Sequence, residues 1–366
     1  MAILFNKVKI FFTKGIVLNI LKVLLLSALC TELLFSLDYN QKDEVKKFID
    51  KMDKEFNYNK AYLQKLFKYV KKNPYVISKK ITKNRKKLSI KSGTKKHKPQ
   101  GKWEIYARLH LENNQTALGV KFMHKHQKIF QKAYKKYGVA PEYITAIIGI
   151  ESYYGKNRGR YYVFDSLAHL AFSKNKRKKF YQYQLQEFLR MCYREQVEPR
   201  AVKGSKSGAI GLAQFMPSNY THYAVDFNND KKIRISQADD AIGSIANYFK
   251  ENGWKEDEPV ATRVRYKGNR FQTFKTGYEH KYHRKELINI KPRNNFSYKK
   301  KVMLIKLERE KYDELWYGTH NFYVITRYNH SDYYAMVVHQ LAQKIKKSYL
   351  AKYKHSKKKK LYLTNK

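Results

Sequence analysis

The sequence predicts a mainly α protein with a small β contribution, an α+β fold in which helices dominate. Apolar residues recur at helical spacing along much of the chain, and Gly and Pro stand where those stretches end or begin. Residues 255–320 show no clear helical pattern and are where we expect the few strands. Spacing of this kind is the primary signal of amphipathic helices. The length of 366 residues allows two or three sub-domains around a sizeable core.

The helices are predicted in chain order from their apolar stripes and their end signals. Gly138 follows one stripe as a stop, Pro141 stands in the first turn of the next helix, and Gly253 ends a later one. Polar, Gly- and Ser-rich loops are expected at 203–220 and 226–240. The stretches with helical spacing are 45–52, 61–70, 122–137, 140–152, 163–198, 241–254 and 321–345.

Residues 1–36 are predicted to be a signal or anchor segment, because Lys residues precede the apolar stretch "VLLLSALCTELLF". That stretch is too short and too interrupted to span a bilayer comfortably. Small residues before Cys30 suggest a lipoprotein site, but Leu29 occupies a position that usually needs a small residue. The sequence therefore predicts export to the bacterial periplasm or cell envelope. It leaves open whether this segment is cleaved, lipidated or retained as a membrane anchor.

The net charge of +47 implies a polyanionic or acidic partner. Acid-free basic stretches occupy 71–98 and 342–366. We predict an N-terminal helical region with a basic linker over 37–100, a catalytic region over 101–345 and a basic tail over 346–366. Solvated surface is the commoner reason for such charge. Nucleic-acid binding is the sharper alternative, but no nucleic-acid module is recognised and a leader would remove the chain from the cytoplasm, so no nucleic-acid partner is expected.

Glu151 stands out because it continues a helical stripe of apolar residues, Ile144, Ile147 and Ile148, at the i+7 position. A carboxyl on a buried face has its pKa raised by desolvation. A protonated carboxyl at neutral pH can donate a proton to a leaving glycosidic oxygen. For an isolated helix Glu, a structural role with a backbone or Arg partner is the commoner explanation. The neighbouring motifs decide between the two.

The motifs "IIGIESYYGKNRGRYYVFDSLAHLAF", "GSKSGAIGLAQFMPSNYTHYAVDFNND", "DDAIGSIANYFKENGW" and "NFYVITRYNHSDYYAMVV" resemble, in this order, the membrane-bound lytic murein transglycosylase B family. The resemblance extends from about residue 42 to 345. It implies a lysozyme-like core beside a helical domain. It also implies cleavage of the β-1,4 bond between N-acetylmuramic acid and N-acetylglucosamine in peptidoglycan. Glu151 would be the only acid/base, the C6 hydroxyl of the muramic acid would attack, and no cofactor would be needed for the chemistry.

The resemblance also implies the residues that bind substrate. Gln214 would bind sugar or orient Glu151, and Ser205 would point at the substrate or at Glu151. Tyr106 matches less securely, because Ala107 follows it where the family usually has Arg. Ordinary core packing is the alternative for each tyrosine. The residues expected in the cleft are Tyr106, Ser205, Gln214, Phe215, Tyr248, Tyr328 and Tyr334.

The loop "DFNNDKKIRISQADD" resembles the calcium-binding loop of the same family. Oxygen-bearing side chains occupy its positions 1, 3 and 5, a spacing suited to Ca²⁺. Lys231 replaces the usual Gly at position 6, and the neighbouring Lys charges should weaken affinity. The alternative is a polar turn that holds the fold without an ion. The predicted structural Ca²⁺ ligands are Asp226, Asn228, Asp230, the Lys232 carbonyl and Asp240.

The sequence suggests two further kinds of partner, namely other cell-wall enzymes and the peptide stems of the wall. A non-catalytic scaffold that binds glycan strands and recruits other cell-wall enzymes is the main alternative to the enzyme, and retention of Glu151 argues against it. For an enzyme of the wall, the basic surface would be attracted to the carboxylates of the peptide stems.

Overall fold

The computed structural model describes residues 36–71, 101–111, 114–174 and 176–353. Residues 1–35 of the predicted leader, the basic stretch 72–100 and residues 354–366 of the predicted tail lie outside these described residues. No helix in the described part of the chain is long and apolar enough to cross a membrane.

The helices of the described residues confirm the mainly α prediction. They are α1 (Asp43–Phe56), α2 (Lys60–Lys68), α3 (Lys102–Leu111), α4 (Gln115–Lys125), α5 (Gln127–Tyr137), α6 (Pro141–Ser152), α7 (Val163–Phe172), α8 (Lys178–Arg194), α9 (Pro217–Tyr223), α10 (Ala238–Glu251), α11 (His320–Tyr328) and α12 (Asp332–Lys352). Helix α12 continues seven residues past 345, so residues 346–352, assigned to the tail from sequence, extend the last helix instead.

The strands of the described residues fall mostly in the expected segment. They are β1 (Ser36–Leu37), β2 (Val70–Lys71), β3 (Tyr161–Tyr162), β4 (Lys203–Gly204), β5 (Ala261–Tyr266), β6 (Lys281–Tyr282), β7 (Ile290–Pro292), β8 (Val302–Glu308) and β9 (Asp313–Gly318). Strands β1 and β2 pair with each other, as do β3 and β4. The other five form one antiparallel sheet in the order β6-β8-β9-β5-β7.

Helix α6 lies at the centre of the helical body. Its residues from Pro141 to Gly149 are all buried, and α4, α5, α10 and α12 pack around it. The preceding helix ends at Gly138, whose φ of 66° gives the left-handed cap that glycine adopts without strain. Pro141 then begins α6 at a position where its missing N–H is not needed. The apolar run thus becomes a buried helix that carries Glu151 near its end.

The five-stranded sheet has two covered faces, because side chains alternate along each strand. On one face, Met303 and Ile305 of β8 join the main core, and Trp316 of β9 packs against it. On the other face, Leu304 and Tyr317 belong to a separate small core. Helices α3 and α11 contact the sheet at β8 and β9 respectively. The sheet therefore supports the helices that approach the end of α6.

Candidate active site

The turn after Glu151 is held rigidly by its own chain. Ser152 Oγ donates to Ile148 O (3.0 Å) and accepts from Gly155 N (3.1 Å). Tyr153 and Tyr154 follow with φ of 50° and 57°, a left-handed conformation that is uncommon for residues with a Cβ. A strained turn of this kind persists only where its surroundings fix it, and here it ends the helix directly after the carboxyl.

Tyr154 anchors that turn between two helices. Its hydroxyl donates to Gln115 O at the start of α4 (2.8 Å). A Cβ at Gly119 of α4 or at Gly149 of α6 would stand 2.6 Å from the same hydroxyl, so both glycines are needed for this close approach. A glycine inside an apolar helix is the sequence signal that could have predicted this packing.

Tyr334 provides the hydrogen bond to Glu151. It lies in the first turn of α12, where Ser331 Oγ caps the helix by accepting from Tyr334 N (3.3 Å). The buried Tyr334 hydroxyl donates to Glu151 Oε1 at 2.6 Å. Glu151 Oε2 is not buried and accepts no hydrogen bond from the described residues. One carboxyl oxygen is thus fixed, and the other is available to a ligand.

Burial controls the acidity of Glu151. Desolvation raises its pKa from 4.5 to about 7, and the hydrogen bond from Tyr334 acts in the opposite direction by stabilising the anion. No ion pair with Glu151 and no neighbouring charge acting on its pKa is found among the described residues. The carboxyl therefore carries its proton for much of the time at neutral pH, as a general acid requires.

Three of the predicted cleft residues form an aromatic cluster beside this pair. The Tyr328 ring is nearly parallel to that of Tyr334 (11°, centroids 6.5 Å apart), and its hydroxyl donates to Ala213 O (2.5 Å). Burial and the negative charge of Glu151 raise the pKa of Tyr328 well above its usual value. Phe215 and Tyr248 pack on Tyr328 at 5.9 and 4.9 Å and are themselves buried. Phe215 and Tyr248 therefore hold the Tyr328 ring in place by packing against it.

Tyr106 reaches the same site from helix α3. It is half-buried, and its pKa is raised first by burial and then by the charge of Glu151. Its ring meets Tyr333 edge-on at 5.7 Å. Tyr333 was not predicted from sequence, because it stands beside Tyr334 in a chain rich in tyrosine and only the packing of α3 on α12 distinguishes it.

Ser205 and Gln214 hold the shapes of their own loops. Ser205 Oγ accepts from Ala209 N (3.0 Å), closing the loop after β4. Gln214 has a φ of 47°, and its amide donates to Gly211 O (2.8 Å) and to Arg158 O (3.3 Å). The Gln214 contact with Arg158 joins its loop to the segment that follows Glu151. Among the described residues, neither side chain hydrogen-bonds to Glu151. The contacts of Ser205 and Gln214 with substrate stay predictions.

The predicted calcium loop is folded around its carboxylates. Asp226 accepts from the N–H groups of Asp230 (3.1 Å) and Lys231 (2.8 Å). The buried Asp240 accepts from Phe227 N (2.9 Å) and Arg234 N (2.6 Å). Backbone donors therefore occupy these carboxylates.

The loop keeps a left-handed backbone at its sixth position. Lys231 has a φ of 67° at the position where glycine is usual. Asn228 Oδ1 accepts from Asp230 N (3.1 Å), and Asp230 accepts hydrogen bonds from Lys232 N (3.0 Å) and the Arg234 guanidinium. No group of three or more His, Cys, Asp or Glu positioned for a metal is found in the described part of the chain. The carboxylate, amide and carbonyl oxygens of the loop are the type of ligand that Ca²⁺ binds. The Arg234 guanidinium would compete with the ion for the Asp230 carboxylate.

A half-buried carboxyl of raised pKa at the end of a buried helix, with tyrosines around it, is suited to donate a proton to a leaving glycosidic oxygen. Residues 40–343 match the model of the transglycosylase SLT domain. The chain is 34% identical over 310 residues to membrane-bound lytic murein transglycosylase B of Escherichia coli, covering 84% of each.

Solved structures of lytic transglycosylases are similar to this chain in fold and in sequence. Escherichia coli SLT35, determined in complexes with bulgecin A and with calcium, is 32% identical with a TM-score of 0.77, and the match covers 87% of this chain and 98% and 97% of those chains. Pseudomonas aeruginosa SltB1 is 34% identical with a TM-score of 0.75, covering 85% of this chain and 100% of that one. The chain belongs to the transglycosylase SLT family, which confirms the predicted lysozyme-like fold and the predicted enzyme class, a lytic transglycosylase.

Replacing Tyr334 by Phe should lower activity at neutral pH by about tenfold, since a hydrogen bond to a charged group contributes about 1.5 kcal/mol or more. Loss of the donor removes stabilisation of the Glu151 anion, so the pKa of Glu151 rises and the alkaline limb of the pH–rate profile moves to higher pH. Tyr323→Phe, in the preceding helix, is the matched control. An unmoved alkaline limb in Tyr334→Phe would contradict this role.

Proposed function

We propose that this lytic transglycosylase cleaves the β-1,4 bond between N-acetylmuramic acid and N-acetylglucosamine of peptidoglycan with Glu151 as its only acid/base. Protonated Glu151 gives its proton to the glycosidic oxygen as the bond from that oxygen to the anomeric carbon breaks. The muramic C6 hydroxyl then attacks the anomeric carbon, and its proton passes to the Glu151 carboxylate. The product is a 1,6-anhydro ring, no water is consumed, and Glu151 ends protonated.

The observation that carries this proposal is that no second carboxylate acts on Glu151 among the residues that the structure describes. Hydrolytic glycosidases use a pair of carboxylates, one of which activates water or attacks the sugar. Within the described ranges of the chain, the pKa of Glu151 responds to burial and to Tyr334, with no contribution from a second carboxylate. One acid whose pKa is about 7 suits both roles, because it can give up a proton and then take one back near neutral pH.

The tyrosines have distinct parts in this proposal. Tyr334 holds Glu151 Oε1, so Oε2 is the atom that presents the proton to the sugar. Tyr328, whose hydroxyl is fixed to Ala213 O, and Tyr106, which approaches from helix α3, offer ring faces to the sugar. Phe215 and Tyr248 keep Tyr328 in place, and the loops of Ser205 and Gln214 complete the cleft.

The test is product analysis. The full chain is incubated with purified peptidoglycan, and mass spectrometry examines the new ends. We expect 1,6-anhydromuramyl ends. Reducing ends instead would mean that water attacks and that a second carboxylate takes part. Binding to peptidoglycan with no new ends at all would favour the scaffold that recruits other wall enzymes.

The proposal extends to location and metal. The likeness to a membrane-bound lytic murein transglycosylase supports a place in the cell envelope, with residues 1–36 as its export signal or membrane anchor. The calcium complex of SLT35 supports Ca²⁺ binding by the loop of Asp226, Asn228, Asp230 and Asp240, with the Lys232 carbonyl. The ion would stabilise the fold, and the chemistry would proceed at Glu151 without it.

Calcium should raise the melting temperature, and a chelator should reverse the increase. An ion at one hundred times its dissociation constant adds about 2.7 kcal/mol to the free energy of unfolding. Asp230→Asn should lose most of the increase, whereas Asp257→Asn, an exposed substitution outside the loop, should keep it. No change in melting temperature on adding millimolar Ca²⁺ would refute the site, and an equal response to Mg²⁺ would refute its selectivity.

A further inference from the structure

A cavity of about 920 Å³ opens on the sheet, at the edge formed by β7. Its floor includes Leu287, Ile290 and Tyr317, which are buried, and Phe296 forms part of a wall. Tyr317 donates to Ile290 O (2.6 Å) and so ties β9 to β7 under the floor. A cavity of this size with an apolar floor can accommodate a ligand of several residues.

The rim of this cavity is strongly basic. Its charged lining residues are Arg265, Arg284, Lys285, Lys291 and Lys299, with His283 beside them, and no acidic residue lines it. None of these five Lys and Arg residues forms an ion pair with a carboxylate of the described residues. The nearby Glu286 accepts from His283 N (2.5 Å) and is not part of the lining. Several uncompensated cations around one concave surface attract a multiply charged anion.

Two of the cations lie on paired strands, and Arg284, Lys285 and Lys299 lie on the loops on either side of β7. Arg284 is half-buried, and its Nη1 donates to Phe296 O (3.1 Å) and Tyr298 O (3.2 Å). Arg265 of β5 and Lys291 of β7 are direct cross-strand partners, so their side chains project from the same side of the sheet. Like charges directly opposite each other destabilise a sheet. Both side chains leave the sheet on the face of Trp316 and line the cavity at the edge of β7, where a bound anion would relieve that repulsion.

We infer that this cavity binds an acidic peptide through its carboxylates. Given the proposed function, on which this inference rests, the peptide is the stem of a peptidoglycan strand. Arginine pairs with carboxylates through two parallel hydrogen bonds. The lining amides of Asn289, Asn294 and Asn295 suit peptide groups, and the apolar floor suits aliphatic side chains better than a hydrated phosphate chain.

The cavity is separate from the cleft of Glu151. Within the described part of the chain, none of the residues that line the cavity belongs to the aromatic cluster around Glu151. The peptide held here therefore belongs to a part of the wall away from the bond being cut. Its role is to retain the enzyme on peptide-bearing wall.

The experiment titrates the full chain with an N-acetylated pentapeptide carrying two carboxylates and, separately, with its diamide, using calorimetry. The cavity variant is Arg265→Gln/Lys291→Gln, at two exposed positions. The control is Lys128→Gln/Lys135→Gln, which removes the same charge from exposed positions of α5. We expect the cavity variant to bind about tenfold more weakly, because each exposed ion pair contributes up to about a fivefold factor in affinity.

The control variant should bind the peptide as the parent does, and the diamide should bind weakly to all three. Equal weakening in the control would overturn the inference by showing diffuse attraction. Equal binding of the diamide, no binding by the parent, or binding of inorganic polyphosphate in place of the peptide would also overturn it. Titration requires no turnover, so failure of cleavage in the product assay would refute the proposed reaction and leave the carboxylate preference measurable.

Discussion

Glu151→Gln should reduce cleavage of peptidoglycan by at least about a thousandfold, because general acid catalysis by one positioned group contributes about 10² to 10⁴ in rate and here one group serves both steps. The Gln amide keeps the size of the side chain and can still accept from Tyr334, but it has no proton to give to the glycosidic oxygen. The loss should appear in kcat, since the sugar contacts of the aromatic residues are unchanged.

The measurement is the initial rate of anhydro-end formation, with binding to peptidoglycan recorded in parallel. Glu251→Gln, an exposed change at the end of α10, is the control and should keep full activity. Retention of a tenth of the parent rate by Glu151→Gln would show that another group provides the proton.

The same substitution should make the protein more stable at neutral and alkaline pH. The pKa of Glu151 is raised from 4.5 to about 7 in the folded state, so the folded chain holds more protons than the unfolded chain between these values. Stability from this group is fully present below pH 4.5 and is lost as the pH rises through 7. Gln has no such dependence.

We therefore expect Glu151→Gln to exceed the parent by about 2 kcal/mol in free energy of unfolding at pH 8, discounted for the partly accessible side chain, and by almost nothing near pH 4. Urea denaturation at the two pH values measures the difference. A gap of equal size at both would show that it comes from packing rather than from ionisation. Stability gained by removing a catalytic group is the usual sign of an active site that is costly to fold.

The helix around Glu151 could be predicted because the residues that specify it are its near neighbours in the sequence. Ile144, Ile147 and Ile148 mark the buried stripe, and Pro141 marks the start, so the sequence alone places a carboxyl at a buried helix end. The partner of that carboxyl was not predicted, because the family resemblance gave Tyr334 as a substrate-binding residue and named Gln214 and Ser205 as the neighbours of Glu151. Tyr334 lies 183 positions further along the chain, and no pattern near either residue indicates the contact.

The functions of loop residues were harder to predict. Ser205 and Gln214 sit in the expected segment, but their hydrogen bonds run to Ala209 N and Gly211 O, which depend on a backbone path that residue types do not specify. The basic cavity was also missed. Arg265 and Lys291 become neighbours only through the pairing of β5 with β7, and in the sequence they are two charges among many.

Because Tyr334 follows Glu151 by 183 positions, the acid is synthesised before the residue that holds it. A ribosome adds Glu151 long before α12, so a growing chain carries the acid without the hydroxyl that holds it. One side of helix α6 also stays uncovered until α12 packs against it. A chain that ends before α12 therefore lacks the residue that fixes the acid, and the active site is assembled only after α12 has been made and folded.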